Sequence, residues 1–249
     1  MEPTLKYFKK KNPLVISIVL FRSAVISGSI RVCLEYLSKF KKFRKGCCKV
    51  GKLYTIGHST FEPAQLIDNL RKYKVDYLLD VRSIPYSQFA PQYNKENLEK
   101  LLQEMQISYF FMGKFFGARQ NNREYYPKGY IDFEKFRKSK KFITGKKNVL
   151  KGLEDNNIAF MCTEKNPIDC HRTIMVARDF DLDGFKVEHI LSDGSLQSQR
   201  EIDQLLLEMY FPERNQTSLF QEDNKGEVWY INEAYKKQNE KIGYKMEER

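Results

Sequence analysis

The chain has 249 residues, 41% of them hydrophobic and 30% charged, enough for one sizeable core and unlike a disordered or fibrous protein. Five cysteines, three of them within the first 48 residues, do not make a disulfide framework. The formal charge of +11 falls almost wholly on residues 1–50, which carry +10, against +1 on residues 51–249. The basic balance therefore says little about what the main domain binds.

Residues 1–50 read Lys-rich, then apolar, then Lys-rich again. Arg22 closes the apolar run 14–21, and no small-residue cleavage pattern follows, which argues against a secretory signal. A span over 13–34 would bury Arg22 and Arg31 at ~2.5–3.5 kcal/mol each. No stable membrane insertion is expected, and the protein is read as cytoplasmic. These fifty residues are read as a poorly ordered basic extension, with a basic amphipathic segment on an anionic surface as the alternative.

From Lys52 the pattern is regular. A strand over 53–56 leads into Gly57, His58 and Ser59, then a helix with Pro63 in its first turn and Leu66, Ile67 and Leu70 on one face. A second strand, 75–79, ends at Asp80, and Asn94 caps a helix carrying Leu98, Leu101, Leu102 and Met105. A third strand is expected over 108–112, followed by an exposed, tyrosine-rich excursion over 118–130. Helical patterns follow near 133–142 and 147–153. A fourth strand spans 158–162, a helix reaches Leu182 with Gly184 as its stop, a fifth strand spans 187–190, and a helix runs near 199–209. Strands alternating with helices of this length predict an α/β domain over 51–211, with a mainly parallel sheet of about five strands. Residues 212–249 read as a polar tail.

Ligands of such sheets bind at the carboxyl ends of the strands, and the chemistry-bearing residues fall there. The first strand ends at His58, the second at Asp80 and Arg82, the fourth at Cys162 and Glu164. The turn after the fourth closes with Cys170, His171 and Arg172, and His189 lies on the fifth. Three segments carry a resemblance: Thr55-Ile-Gly-His-Ser59, Asp80-Val-Arg-Ser-Ile-Pro85, and the stretch 162–172 with Cys162, Glu164, Pro167, Cys170, His171 and Arg172. Together they resemble the hallmarks of the domain of unknown function 488 family, over about residues 52–210. The resemblance implies an α/β domain of bacterial or archaeal type and supplies no reaction. A weaker likeness to rhodanese-type domains lies in a strand ending in cysteine followed by a helix. Nine residues separate Cys162 from Arg172, too many to transfer the rhodanese anion loop.

A thiolate at Cys170 would gain from the helix start and the adjacent positive charge, which makes it a candidate nucleophile with His171 as base or orienter. The opposing reading is that Cys170 packs or caps. Arg82 and Arg172, with Ser59 in the turn, suit a phosphate or carboxylate. His58 and Glu164 are acid–base candidates, while Cys162 reads as a buried small hydrophobe. The C-x7-C-H spacing matches no familiar zinc pattern, so no metal is expected, and the sequence specifies no cofactor. The leading expectation is an enzyme acting on a small anionic or phosphorylated substrate. The competing one is a nucleic-acid-associated module in DNA maintenance. That module would stack bases on the aromatic and basic residues of 110–130 and engage a sliding clamp through residues 216–220, where Gln216, Leu219 and Phe220 resemble clamp-binding peptides.

Overall fold

The computed structural model describes residues 51–214 and 226–246. The basic extension and the clamp-like peptide 216–220 lie outside the described residues. Five short apolar runs become parallel strands: β1 (Leu53–Gly57), β2 (Tyr77–Asp80), β3 (Ser108–Phe111), β4 (Ile158–Cys162) and β5 (Val187–Ile190). A sixth, β6 (Leu196–Ser198), pairs antiparallel with β5 across the turn at Gly194. The order is β3-β2-β4-β1-β5-β6, which puts β4 and β1 at the centre. The sequence pattern misses β6 because a three-residue strand has too few positions to display alternation.

The helices cover both faces, as a parallel sheet requires. One face is closed by α1 (Pro63–Lys72) and α2 (Lys95–Glu104), whose Leu66, Ile67, Leu70, Leu98 and Leu102 pack on Tyr54, Ile56, Leu78, Ala159 and Met161. Short α3 (Gly113–Phe116) and α4 (Phe133–Arg137) belong to the other face with α5 (Lys140–Gly152), α6 (Arg178–Leu182), α7 (Gln199–Tyr210) and α8 (Glu227–Ile242). There Phe116, Phe142, Val149, Val176, Phe180 and Leu206 meet Leu53, Ile158, Phe160 and Val187. Among the described residues, no helix is long and apolar enough to cross a membrane.

Several local expectations need correction. Asn94 does occupy the N-cap of α2, but its Oδ1 accepts the Ser87 N–H at 2.7 Å and caps nothing. The excursion after β3 is largely exposed, as expected, but it is also tied to the body: Tyr126 is buried, its hydroxyl donates to the Gln120 carbonyl and accepts the Gln120 N–H, each at 2.8 Å. Phe116 lies in the core, with Phe110, Phe115 and Tyr125 packed against it. Of the rings read as a stacking surface, Phe116 and Tyr126 are buried and Phe110, Phe115 and Tyr125 are partly so. The segment read as a polar tail supplies α8, which buries Ala234, Tyr235 and Gln238. Ile231 and Ile242 of the same helix pack against the core beside them.

Candidate functional site

Strand alternation decides how the strand-end residues group. Along β4, Ile158, Phe160 and Cys162 face the α5–α8 side, and Ala159 and Met161 face α1 and α2. All the candidates do gather at the carboxyl edge, but in two polar clusters, one on each face.

On the α1/α2 side, Arg82 and Asp80 form a buried pair. Arg82 Nε lies 2.9 Å from Asp80 Oδ1 and Nη2 lies 2.6 Å from Oδ2. Nη2 also donates to the Tyr93 carbonyl at 2.9 Å, and the Tyr109 hydroxyl donates to Asp80 Oδ2 at 2.8 Å. Burial works against the arginine charge, but the bonds to Asp80 outweigh it and raise the Arg82 pKa. His58, 1% exposed, stacks on Tyr93 at 4.1 Å between centroids. Its Nδ1 lies 2.7 Å from the Ser59 carbonyl and its Nε2 lies 3.3 Å from Arg82 Nη1. Nδ1 therefore carries the proton and Nε2 accepts from the guanidinium. Burial, reinforced by the Arg82 charge, lowers His58 to about 4, so the ring is neutral at pH 7. Ser59 contributes its carbonyl, from a left-handed backbone with φ 48°, a strained conformation of the kind found at sites whose surroundings hold them in place. Among the described contacts, one Nη1 hydrogen of Arg82 has no partner.

On the opposite side, Cys162 closes β4. The loop 163–166 leaves it and turns back through a 3₁₀ turn (Pro167–Asp169) into Cys170 and His171, followed by a π-helical stretch (Arg172–Ala177) that runs into α6. Both thiols donate to one oxygen of Glu164: Cys162 Sγ lies 3.1 Å and Cys170 Sγ 2.9 Å from Oε2. His171 Nε2 donates to the Val81 carbonyl at 3.0 Å, which leaves Nδ1 as an acceptor 3.7 Å from Cys162 Sγ. The donor atoms of Cys162, Glu164, Cys170 and His171 all lie within 4.8 Å of one another. The two cysteines are 3% and 1% exposed, His171 is half-buried, and Glu164 is exposed, with its carboxyl turned inward.

The charges on this side are strongly coupled. Burial would raise Cys170, but its contact with Cys162 and the charges of Arg172 and His171 overcome it and lower its pKa well below the ordinary thiol value. Burial and the neighbouring Cys170 push Cys162 up, and the same two causes raise Glu164. Burial acts to lower His171, but its bond with Cys170 prevails and raises it.

Arg172 is fully buried and donates only to neutral acceptors: the Glu164 carbonyl at 2.6 Å, the Lys165 carbonyl at 3.3 Å and Thr55 Oγ1 at 3.4 Å. It clamps the loop that carries Glu164. Gly57 lets that loop pass, since a Cβ there would stand 1.9 Å from the Glu164 carbonyl oxygen. From Thr55 a buried chain continues through His189 to Gln199, at 2.8 and 2.9 Å, and on to Tyr235 of α8 at 2.6 Å. His189 is thus structural, and burial followed by the Arg172 charge lowers it to about 3. Gln238 of α8 donates to the Ile168 carbonyl at 2.8 Å and so steadies the turn before Cys170. Sequence reasoning missed Thr55, Gln199, Tyr235 and Gln238, because a polar residue in an apolar run carries no mark of its distant partner.

Residues 62–178 match the family model described as domain of unknown function DUF488. The matched stretch holds the Asp80–Arg82 pair and all of Cys162, Glu164, Cys170, His171 and Arg172. No curated protein and no solved structure matches the chain, so nothing there supports the rhodanese-type likeness.

Proposed function

The chain carries a DUF488 domain, and we propose that this domain is an enzyme acting on a small anionic substrate, with its reaction centre at Cys162, Glu164, Cys170 and His171. The observation that carries the reading is the placement of these four polar side chains within 4.8 Å of one another at the carboxyl edge of a parallel sheet, where such folds bind ligands. Glu164 is the exposed member of the four, on the exposed loop 163–166, so that side lies nearest to solvent.

In this reading Glu164 and His171 handle protons at the centre, and Cys170 is the more anionic of the two sulfurs. Arg82, whose Nε and Nη2 are held by Asp80 and the Tyr93 carbonyl and whose Nη1 donates to the neutral His58, belongs to the cluster on the other face and is a second place for an anion, apart from this centre. Ser59 holds the His58 tautomer through its carbonyl. Arg172 is a positioning residue, since its guanidinium is spent on the Glu164 loop. The near-neutral charge of residues 51–249 suits a small ligand better than a nucleic-acid backbone.

Isothermal titration of the reduced full chain with a panel of carboxylates, phosphate monoesters and phosphodiesters tests this, followed by turnover assays on any compound that binds. The expected result is saturable binding of at least one anion, with turnover lost in Glu164→Gln at an unchanged melting temperature. Binding and turnover that are untouched by Glu164→Gln, or a panel that is neither bound nor turned over, would overturn the assignment.

A further inference from the structure

We propose that Cys162, Cys170 and His171 hold a thiophilic divalent cation of the zinc class, with Glu164 as a fourth ligand that an anion can displace. The inference rests on the site proposed above but not on its reaction. It supplies the substrate class with a mode of recognition, as a carboxylate or other oxyanion that takes the place of Glu164.

Three independent features support it. The first is size. Zinc bonds of ~2.3 Å to sulfur and ~2.0 Å to nitrogen or oxygen give a tetrahedron with edges of roughly 3.3–3.8 Å. The observed separations of 2.9, 3.1 and 3.7 Å lie close to that shell, and the four donor atoms span no more than 4.8 Å. Small movements would seat an ion.

The second is the histidine tautomer. His171 gives its Nε2 hydrogen to the Val81 carbonyl at 3.0 Å, which leaves the Nδ1 lone pair turned toward the sulfurs. A backbone carbonyl on the far nitrogen is the usual support for a metal-binding imidazole. The third is charge. Two thiolates, a carboxylate and a neutral imidazole around a divalent ion sum to −1. Beside them stands Arg172, fully buried and donating only to carbonyls and a hydroxyl. A buried cation among neutral acceptors is costly without negative charge nearby, and the loaded centre supplies it. Binding releases to solvent whatever protons the sulfur and carboxyl ligands still carry.

The ligands differ in accessibility. Cys162 and Cys170 are buried and His171 is half-buried, whereas Glu164 comes from the exposed loop 163–166. Three enclosed protein ligands and one exchangeable position make the pattern of a reactive centre rather than a closed structural one. With the ion in place, Cys170 is a ligand and not the nucleophile.

The test uses the full chain, purified under reductant and without chelator. Elemental analysis should find about one zinc-class ion per chain. Cys170→Ser and Cys162→Ser should lose it, and Glu164→Gln should keep it with affinity weakened roughly tenfold or more. Should the cysteine variants fail to fold, cobalt loading of the wild type decides: a thiolate-to-cobalt charge-transfer band is expected, and acetate or phosphate should shift the visible bands saturably. A folded, reduced protein that retains neither zinc nor cobalt overturns the proposal, as does finding Cys162 and Cys170 joined in a disulfide when the protein is first isolated. Bound cobalt whose spectrum ignores both anions overturns the exchangeable role of Glu164. Metal binding without turnover would count against the enzyme reading alone, and anion turnover without metal against this inference alone.

Discussion

Gly57 offers a perturbation whose effect can be worked from distances. In Gly57→Ala the new Cβ would meet the Glu164 carbonyl oxygen at 1.9 Å, about 1.5 Å inside ordinary contact. That neighbour is backbone, so it cannot swing aside. The loop must lift, and the 2.6 Å bond from Arg172 Nη1 to the same oxygen breaks or stretches. Overpacking costs ~1–3 kcal/mol and a hydrogen bond from a charged donor contributes about 1.5–3 kcal/mol. A loss of about 3 kcal/mol is expected, with a melting temperature ~6–12 °C lower for a chain of this size. Gly152→Ala is the control. Its Cβ would meet the tip of Ile158, Cδ1 at 3.2 Å, and otherwise the Tyr77 ring at an ordinary 3.6 Å, and alanine favours the end of α5, so it should be neutral or slightly stabilising. Urea unfolding of the reduced full chains reads both. If Gly57→Ala matched wild type within about 0.5 kcal/mol, the loop would not be seated on β1, and the account of how Glu164 is positioned would fail.

Arg82→Met should cost ~3–5 kcal/mol, because it strands the buried Asp80 carboxylate; adding Asp80→Asn should recover more than half, and a lone Arg82→Met with wild-type stability would contradict the pairing. Acid should destabilise the fold through its two buried neutral histidines. An unfolded histidine takes up its proton near 6.5, whereas His58 and His189 resist down to about 4 and about 3. Their contribution is therefore complete above pH 6.5 and is lost as pH falls through 4 and then 3, with ~3 kcal/mol at stake for His58. Urea midpoints that stay level from pH 7 to pH 4 would refute this. Gln238→Ala should cost about 1–2 kcal/mol by leaving the Ile168 carbonyl unpaired; no change would show that α8 does not steady the Cys170 turn.

The parallel strands and the two helices on one face were legible because their apolar spacing is strict, as in Leu66, Ile67 and Leu70 or in the unbroken run 158–162. The carboxyl-edge location of the candidates followed from strand order alone. What periodicity cannot carry is which face a strand-end residue takes once the strand stops, so His58 and Cys170 read as one site although β1 and β4 direct them to opposite faces. The quartet was hidden for a related reason. Cys162 and Cys170 are far apart for a metal loop in sequence, and only the return of the chain through Pro167–Asp169, clamped by Arg172, brings them onto the same carboxylate oxygen. The role of α8 was illegible because its apolar residues, Ile231, Ala234, Tyr235 and Ile242, are sparse among charged ones, and the partners of Tyr235 and Gln238 lie far away in sequence.

Whether the quartet holds an ion is read most directly from an anomalous difference map of crystals of the reduced full chain, recorded on either side of the zinc edge. One strong peak is expected within bonding distance of Cys162 Sγ, Cys170 Sγ and His171 Nδ1, with a Glu164 oxygen or a bound anion completing the shell. An ordered quartet that shows no peak, with both thiols still donating to Glu164, would contradict it.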